Sequence, residues 1–138
     1  MGKKKTMARK IADGLVDSGV KVRVIDINQA DRTETIKEMF EAKGYIIGSS
    51  THDNDMLPTL AGFLEFLKGL KPKDRIAAAF GSYGWAGGAI KNIETVLNAS
   101  GIKVVQPGLG IQYVPDDAGS KQCYEFGKNF AMSIKQGS

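Results

Sequence analysis

Four short runs rich in β-formers recur along the chain: "VKVRVIDI" (20–27), "YIIGSS" (45–50), "RIAAAFGS" (75–82) and "IKVVQPGLGIQYVP" (102–115). Between each pair lies a stretch long enough for a helix and patterned like one. This alternation constrains the fold more than any other feature. Two strands joined through a helix pair in parallel, and the crossover is right-handed. In the third run the residues are apolar on both faces, as expected when helices cover both sides of a sheet. Its three alanines leave room for those helices to come close.

The helical segments carry their own punctuation. Lys5–Asp17 spaces Met7, Ile11, Leu15 and Val16 at a helical period, and Gly19 stops it. Thr33–Ala42 puts Ile36, Met39 and Phe40 on one face. Leu57–Leu70 opens with Pro58 in its first turn and ends at Gly69 and Pro72. Ala86–Ser100 is stopped by Gly101, and Ala118–Ile134 closes the chain. The order is α-β-α-β-α-β-α-β-α. It predicts one domain over residues 1–138, an α/β protein built as a three-layer α/β/α sandwich around a parallel sheet. With 138 residues, 42% of them hydrophobic, the chain can bury a core of that kind.

Several function classes drop out on composition. No apolar run approaches the roughly 18 residues of a membrane span, and no apolar leader follows Met1–Lys5. One cysteine, Cys123, rules out an internal disulfide, and a reducing cytoplasm is the expected compartment. Cys123 falls on the last helical pattern and reads as a small buried hydrophobe. One histidine, His52, and one cysteine are too few ligands for a zinc or iron cage. The net charge of +4 is concentrated in Lys3, Lys4, Lys5, Arg9 and Lys10. It reads as the solvated start of a helix, since no nucleic-acid module accompanies it.

Parallel sheets of this type hold ligands at the carboxyl ends of their strands. The loops that leave those ends are "SSTHDNDMLP" (49–58), "GSYGWAGG" (81–88) and "GLGIQYVPDD" (108–117). The first is rich in small hydroxyl and amide residues. The second places Tyr83 and the only tryptophan, Trp85, among glycines. Two readings of Trp85 are open: a ring packed onto the end of the sheet, or a ring set to stack on a flat ligand.

The stretch "YIIGSSTHDNDMLPTLAGFLEFLKGLKPKDRIAAAFGSYGWAGGAIKNIE" (45–94) resembles the flavodoxin-like domain of the A-type flavoproteins, the flavodiiron oxygen and nitric oxide reductases. The resemblance extends more weakly from about Met7 to Phe130. It implies a sheet in the order 2-1-3-4-5 with FMN at the carboxyl edge. It places Ser49, Thr51, His52, Asp53, Asn54 and Asp55 beside one edge of the flavin. Ser82, Tyr83, Gly84, Trp85 and Gly87 form the second loop, with Trp85 or Tyr83 against the ring face. The glycines would let backbone approach the polar edge of the ring. His52 is either a turn histidine or a weaker cover for one ring face. Asp53 and Asp55 are either turn formers or carboxylates that make electron addition to the ring less favourable.

The resemblance also implies a first, central strand and a hydroxyl-rich phosphate loop ahead of the first helix. In their place stands "MGKKKTMARKIADGL". Lys4 and Lys5, with Lys3 beside them and Thr6 as N-cap, are the candidates for a phosphate site. The other reading of this stretch is a disordered basic start. Lysines at a helix N-terminus oppose its dipole by about 0.3–1 kcal/mol each, and a bound anion reverses the sign. With the first strand absent, 20–27 and 45–49 are expected to close together, or the slot is filled by another chain or segment.

Three functions follow. The first is an FMN-binding electron carrier, not a catalyst on its own, that relays electrons to a redox partner protein or di-iron domain. The second is a truncated or designed scaffold without cofactor, serving in association, with a homo-oligomer as one way to fill or cover the slot. The third is a phosphate or nucleotide receptor using Lys3–Thr6. None of them calls for nucleic acid or membrane.

Overall fold

The structure is a computed structural model, and it describes residues 2–25, 31–50, 62, 65, 75–83, 88–112 and 117–136. In chain order the elements are α1 (Gly2–Asp17), α2 (Arg32–Glu41), β1 (Gly44–Ser50), β2 (Ile76–Tyr83), α3 (Gly88–Ala99), β3 (Lys103–Val104), β4 (Leu109–Gln112) and α4 (Asp117–Gln136). β1 runs parallel to β2 in register from Gly44↔Ile76 to Ser50↔Ser82. The opposite edge of β2 carries two short parallel partners, β3 beside Ile76 and Ala77, and β4 beside Phe80 to Tyr83. These two are one edge strand broken where the sequence places Pro107 and Gly108. Val105 N–H still donates to Ala77 O at 3.1 Å, which holds the broken part against the sheet.

The two faces of the sheet separate by the period of two. Tyr45, Ile47, Ala77 and Ala79 join Met39 of α2 with Ile93 and Leu97 of α3 in one buried cluster. Ala78 and Phe80 join Met7, Ile11 and Leu15 of α1 with Cys123, Phe126, Phe130 and Ala131 of α4 in the other. This is the three-layer arrangement that the alternating sequence requires. The alanines of β2 are fully buried on both faces, so each helix layer sits close to the strand. Phe80 occupies space next to Gly48, where an added Cβ would lie 2.1 Å from its ring.

The helix ends follow local chemistry. Asp31 caps α2, with its Oδ2 accepting from Glu34 N–H at 3.3 Å. At the other end of α2 the carbonyls of Met39 and Phe40 accept from the Tyr45 hydroxyl and the Arg75 guanidinium. Burial raises the Tyr45 phenol above its ordinary value, and the neighbouring Arg75 offsets part of that rise. Gly19 (φ +86°) and Gly101 (φ +80°) take the left-handed conformation after α1 and α3, as helix stops do.

Three sequence expectations need correction. The first helix begins at Gly2, not Lys5, so Thr6 lies inside α1 and is not its N-cap, and the basic start is helical. Residues 20–25 have no regular secondary structure and belong to no ladder, so the expected closure of 20–27 onto 45–49 is not formed among the described residues. Among the described residues four strands are present, as expected in number, but 20–25 is not one of them and 102–115 supplies two. The helix expected over Leu57–Leu70 lies outside the described residues except at positions 62 and 65, which are helical.

Candidate functional site

At the carboxyl rim of the sheet the described strands bring Ser49, Ser82 and Tyr83 to neighbouring positions. The register places Ser49 beside Gly81 and Ser50 beside Ser82, and on the other side Ser82 beside Ile111 and Tyr83 beside Gln112. Three strands therefore end together, and the segments that continue from Ser50, Tyr83 and Gln112 leave from adjacent points. The sequence predicted that these loops would be neighbours. It could not predict the pairing Ser50↔Ser82 or Tyr83↔Gln112, because register depends on contacts between distant segments.

Helix starts converge on the same rim. Phe130 of α4 lies against Gly44, at the amino end of β1, where a Cβ would meet its ring at 2.8 Å. Lys135 donates to Ser18 O, so α1 and α4 both finish at that amino edge. With 16 residues, α1 is roughly 24 Å long, about the length of seven strand residues. Its start at Gly2 therefore lies at the carboxyl edge, as do the starts of α3 after β2 and of α4 after β4. Each helix start carries the positive end of a backbone dipole and free N–H groups. Lys3, Lys4 and Lys5 fall in the first turn of α1.

The candidate residues divide by position. Ser49 and Ser82, with Tyr83, are brought together on neighbouring strand tips. Lys4, Lys5 and Thr6 are brought to the rim by α1, although within a helix and not in a loop. Thr51, His52, Asp53, Asn54, Asp55, Gly84, Trp85 and Gly87 lie outside the described residues. Cys123 is fully buried beneath the sheet and takes no part in the rim. Burial pushes its thiol up to about 11, which leaves it protonated and unreactive at neutral pH.

Among the described residues no helix is long and apolar enough to cross a membrane. Comparison with known proteins gives the frame. Residues 1–127 match the Flavodoxin family. A nitric oxide reductase of Moorella thermoacetica is 40% identical over 129 residues, covering 93% of this chain and 32% of that protein. An anaerobic nitric oxide reductase flavorubredoxin of Aeromonas hydrophila is 39% identical over 127 residues, covering 91% of this chain and 26% of that protein. The chain thus spans a third or less of the length of these relatives. Among solved structures, the rubredoxin oxygen:oxidoreductase of Desulfovibrio gigas superposes with a TM-score of 0.86 at 30% identity, over 98% of this chain and 34% of that one. A flavodoxin from the domain Archaea superposes at 0.83 with 33% identity, over 98% of this chain and 92% of that one. Sheet, helix layers, rim and these matches agree: the chain belongs to the flavodoxin family, and its relatives include flavodiiron proteins.

Proposed function

We propose that the chain binds FMN, the cofactor of its family, and passes electrons to a partner redox protein or domain. One observation carries this reading: β1, β2 and β4 end in register at a rim where the first turn of α1 also lies. By residue type, the neutral hydroxyls of Ser49, Ser82 and Tyr83 would suit a polar ring system, and the cations of Lys4 and Lys5 a phosphate ester. When bound, FMN supplies electron uptake and release in steps of one or two. The protein's own work is to hold and orient it. On this reading Tyr83 and Trp85 cover the ring face, where stacking adds about 0.5–1.5 kcal/mol beyond burial. Ser49, Thr51, His52, Asp53 and Asn54 border one ring edge, Ser82, Gly84 and Gly87 the other, and Lys4, Lys5 and Thr6 serve the phosphate. The nitric oxide reduction named for the relatives then belongs to the partner that receives the electrons. The relay belongs to the cytoplasm, where a lone thiol such as Cys123 stays reduced.

A second reading, a scaffold without cofactor, is favoured by one observation. Lys4, Lys5 and Thr6 are helical, where the resemblance led one to expect a hydroxyl-rich phosphate loop. An absorbance spectrum after excess FMN and desalting separates the two. Retained flavin bands with quenched Trp85 emission support the first, and a colourless protein with unchanged emission overturns it. A Lys3/Lys4/Lys5→Ala variant tests the phosphate role, because equal FMN affinity removes it.

A further inference from the structure

Just below the rim, one side chain spans two strands. Gly48 of β1 and Phe80 of β2 are register partners. A Cβ at Gly48 would lie 2.1 Å from Cζ of the Phe80 ring and 2.5 Å from each Cε. The far end of the ring therefore occupies the place of the side chain that Gly48 lacks. Phe80 reaches from its own strand onto the neighbouring one and is only 4% exposed. It belongs to the cluster that Met7 and Ile11 of α1 form with Phe126 and Phe130 of α4. The next rung toward the rim pairs Ser49 with Gly81, and the last pairs Ser50 with Ser82. With glycine at 48 and at 81, the described apolar packing across these final rungs comes from the Phe80 ring.

We infer that Phe80 is a positioning residue of the flavin site: seated on Gly48, its ring fixes the spacing of the strand tips that carry Ser49 and Ser82. The inference rests on the flavin reading and deepens it, since it names a side chain behind the site. Strand ends open locally, because their last bonds have neighbours on one side only. A rigid ligand that touches both tips is held well only if their spacing is kept to about 0.5 Å by side chains that are themselves locked by packing. Phe80 meets that condition, being buried and confined at Cζ by the backbone of Gly48. Ladder bonds set the distance between β1 and β2, and the ring resists sliding and twisting of one tip against the other. Phe80 itself touches no ligand and acts through the backbone of Gly48–Ser49 and Gly81–Ser82. A larger residue at 48 drives the ring out, and a smaller one at 80 leaves space beneath the tips. Both changes release the tips, by opposite routes.

The test uses two readouts on the 138-residue chain: FMN titration, and amide exchange of Ser49 and Ser82 before any FMN is added. The control is Leu97→Ala, which empties a fully buried site near the end of α3 in the other cluster. All variants are compared at a temperature where circular dichroism shows them folded, and Phe80→Leu replaces Phe80→Ala if the latter does not fold. Phe80→Ala is expected to bind FMN at least about tenfold more weakly than the unsubstituted chain. Its two tip amides should exchange at least about tenfold faster. Leu97→Ala should change both readouts by less than about threefold, being remote from the tips. Gly48→Ala should weaken FMN binding as Phe80→Ala does. Adding Phe80→Leu to it should restore binding, because the new methyl takes the place that the ring's far end has left. Equal FMN affinity in Phe80→Ala and the unsubstituted chain overturns this inference alone. So do equal losses in Phe80→Ala and Leu97→Ala, or a double variant no better than Gly48→Ala. An unsubstituted chain that takes up no FMN overturns the flavin reading, and this inference falls with it.

Discussion

The α1–α4 contact gives the sharpest quantitative test, because two glycines set how closely the helices approach. A Cβ at Gly127 would lie 2.1 Å from Ile11 O, 3.1 Å from Ile11 C and 3.3 Å from Leu15 N. One at Gly14 would lie 2.1 Å from Tyr124 O and 3.1 Å from Lys128 N. All of these neighbours are backbone, so no side chain can swing aside. Non-bonded carbon contacts are most favourable near 3.5–4.0 Å. Gly127→Ala must therefore push the helices apart by more than about 1 Å. A gap of about 0.5–1 Å already forfeits a quarter to a half of each dispersion contact, here among Met7, Ile11, Leu15, Cys123 and Phe126. Overpacking of this kind costs about 1–3 kcal/mol. Helix propensity acts the other way, favouring alanine by about 0.8–1.0 kcal/mol. The net expectation is a loss of about 1 kcal/mol, the middle of a range from about 0 to 2. With a urea slope of about 1–2 kcal/mol/M, the midpoint should fall by about 0.5–1 M at unchanged slope, read by far-UV circular dichroism. Gly14→Ala should do the same, and the double variant should lose less than the sum, because the first substitution has already opened the contact. A Gly127→Ala protein that is more stable than its parent would refute the reasoning, since propensity alone gives that sign.

Gly48→Ala should cost about 1–3 kcal/mol, because the new methyl meets the Phe80 ring at 2.1 Å and the ring must leave its buried position; thermal denaturation checks it. Tyr45→Phe should cost about 1 kcal/mol by leaving the Met39 carbonyl without its hydroxyl donor at the end of α2, again read from the urea midpoint. Cys123 makes stability fall in alkali. Its folded thiol is raised to about 11 by burial, while the unfolded thiol ionises near 9. The unfolded state therefore binds fewer protons between those values, so this stability is present below about pH 9 and lost as pH rises toward 11. A urea midpoint followed from pH 8 to 11 should decline, and less steeply in Cys123→Ala. In the native protein the same thiol should react with a disulfide reagent far more slowly at pH 8 than it does in urea.

How much could be read in advance differs from element to element. β1 and β2 were visible as short apolar runs, and α1, α3 and α4 as helical patterns, the first two ended by Gly19 and Gly101, because burial on a fixed face imposes those periods directly. The interruption at Pro107 and Gly108 was visible too, since proline cannot donate to a ladder. The start of α1 was misjudged: three consecutive lysines read as an unfavourable helix start, but packing of Met7, Ile11 and Leu15 against α4 outweighs a local charge penalty. The candidate rim was legible as a set of loops, and the resemblance named the flavin, but only Ser49, Ser82, Tyr83 and α1 could be placed.

What local sequence settles by itself here is the kind of most described segments and the parallel sense of the sheet, because these follow from periodicity and from chain connectivity. What tertiary structure decided is which strand meets which, and at what offset. Ser50 came to sit beside Ser82, Phe80 to fill the space at Gly48, and α1 to approach α4 through Gly14 and Gly127. It also left 20–25 unpaired despite a strong β pattern. A strand is completed by hydrogen bonds to a neighbour, and no local propensity can supply the neighbour.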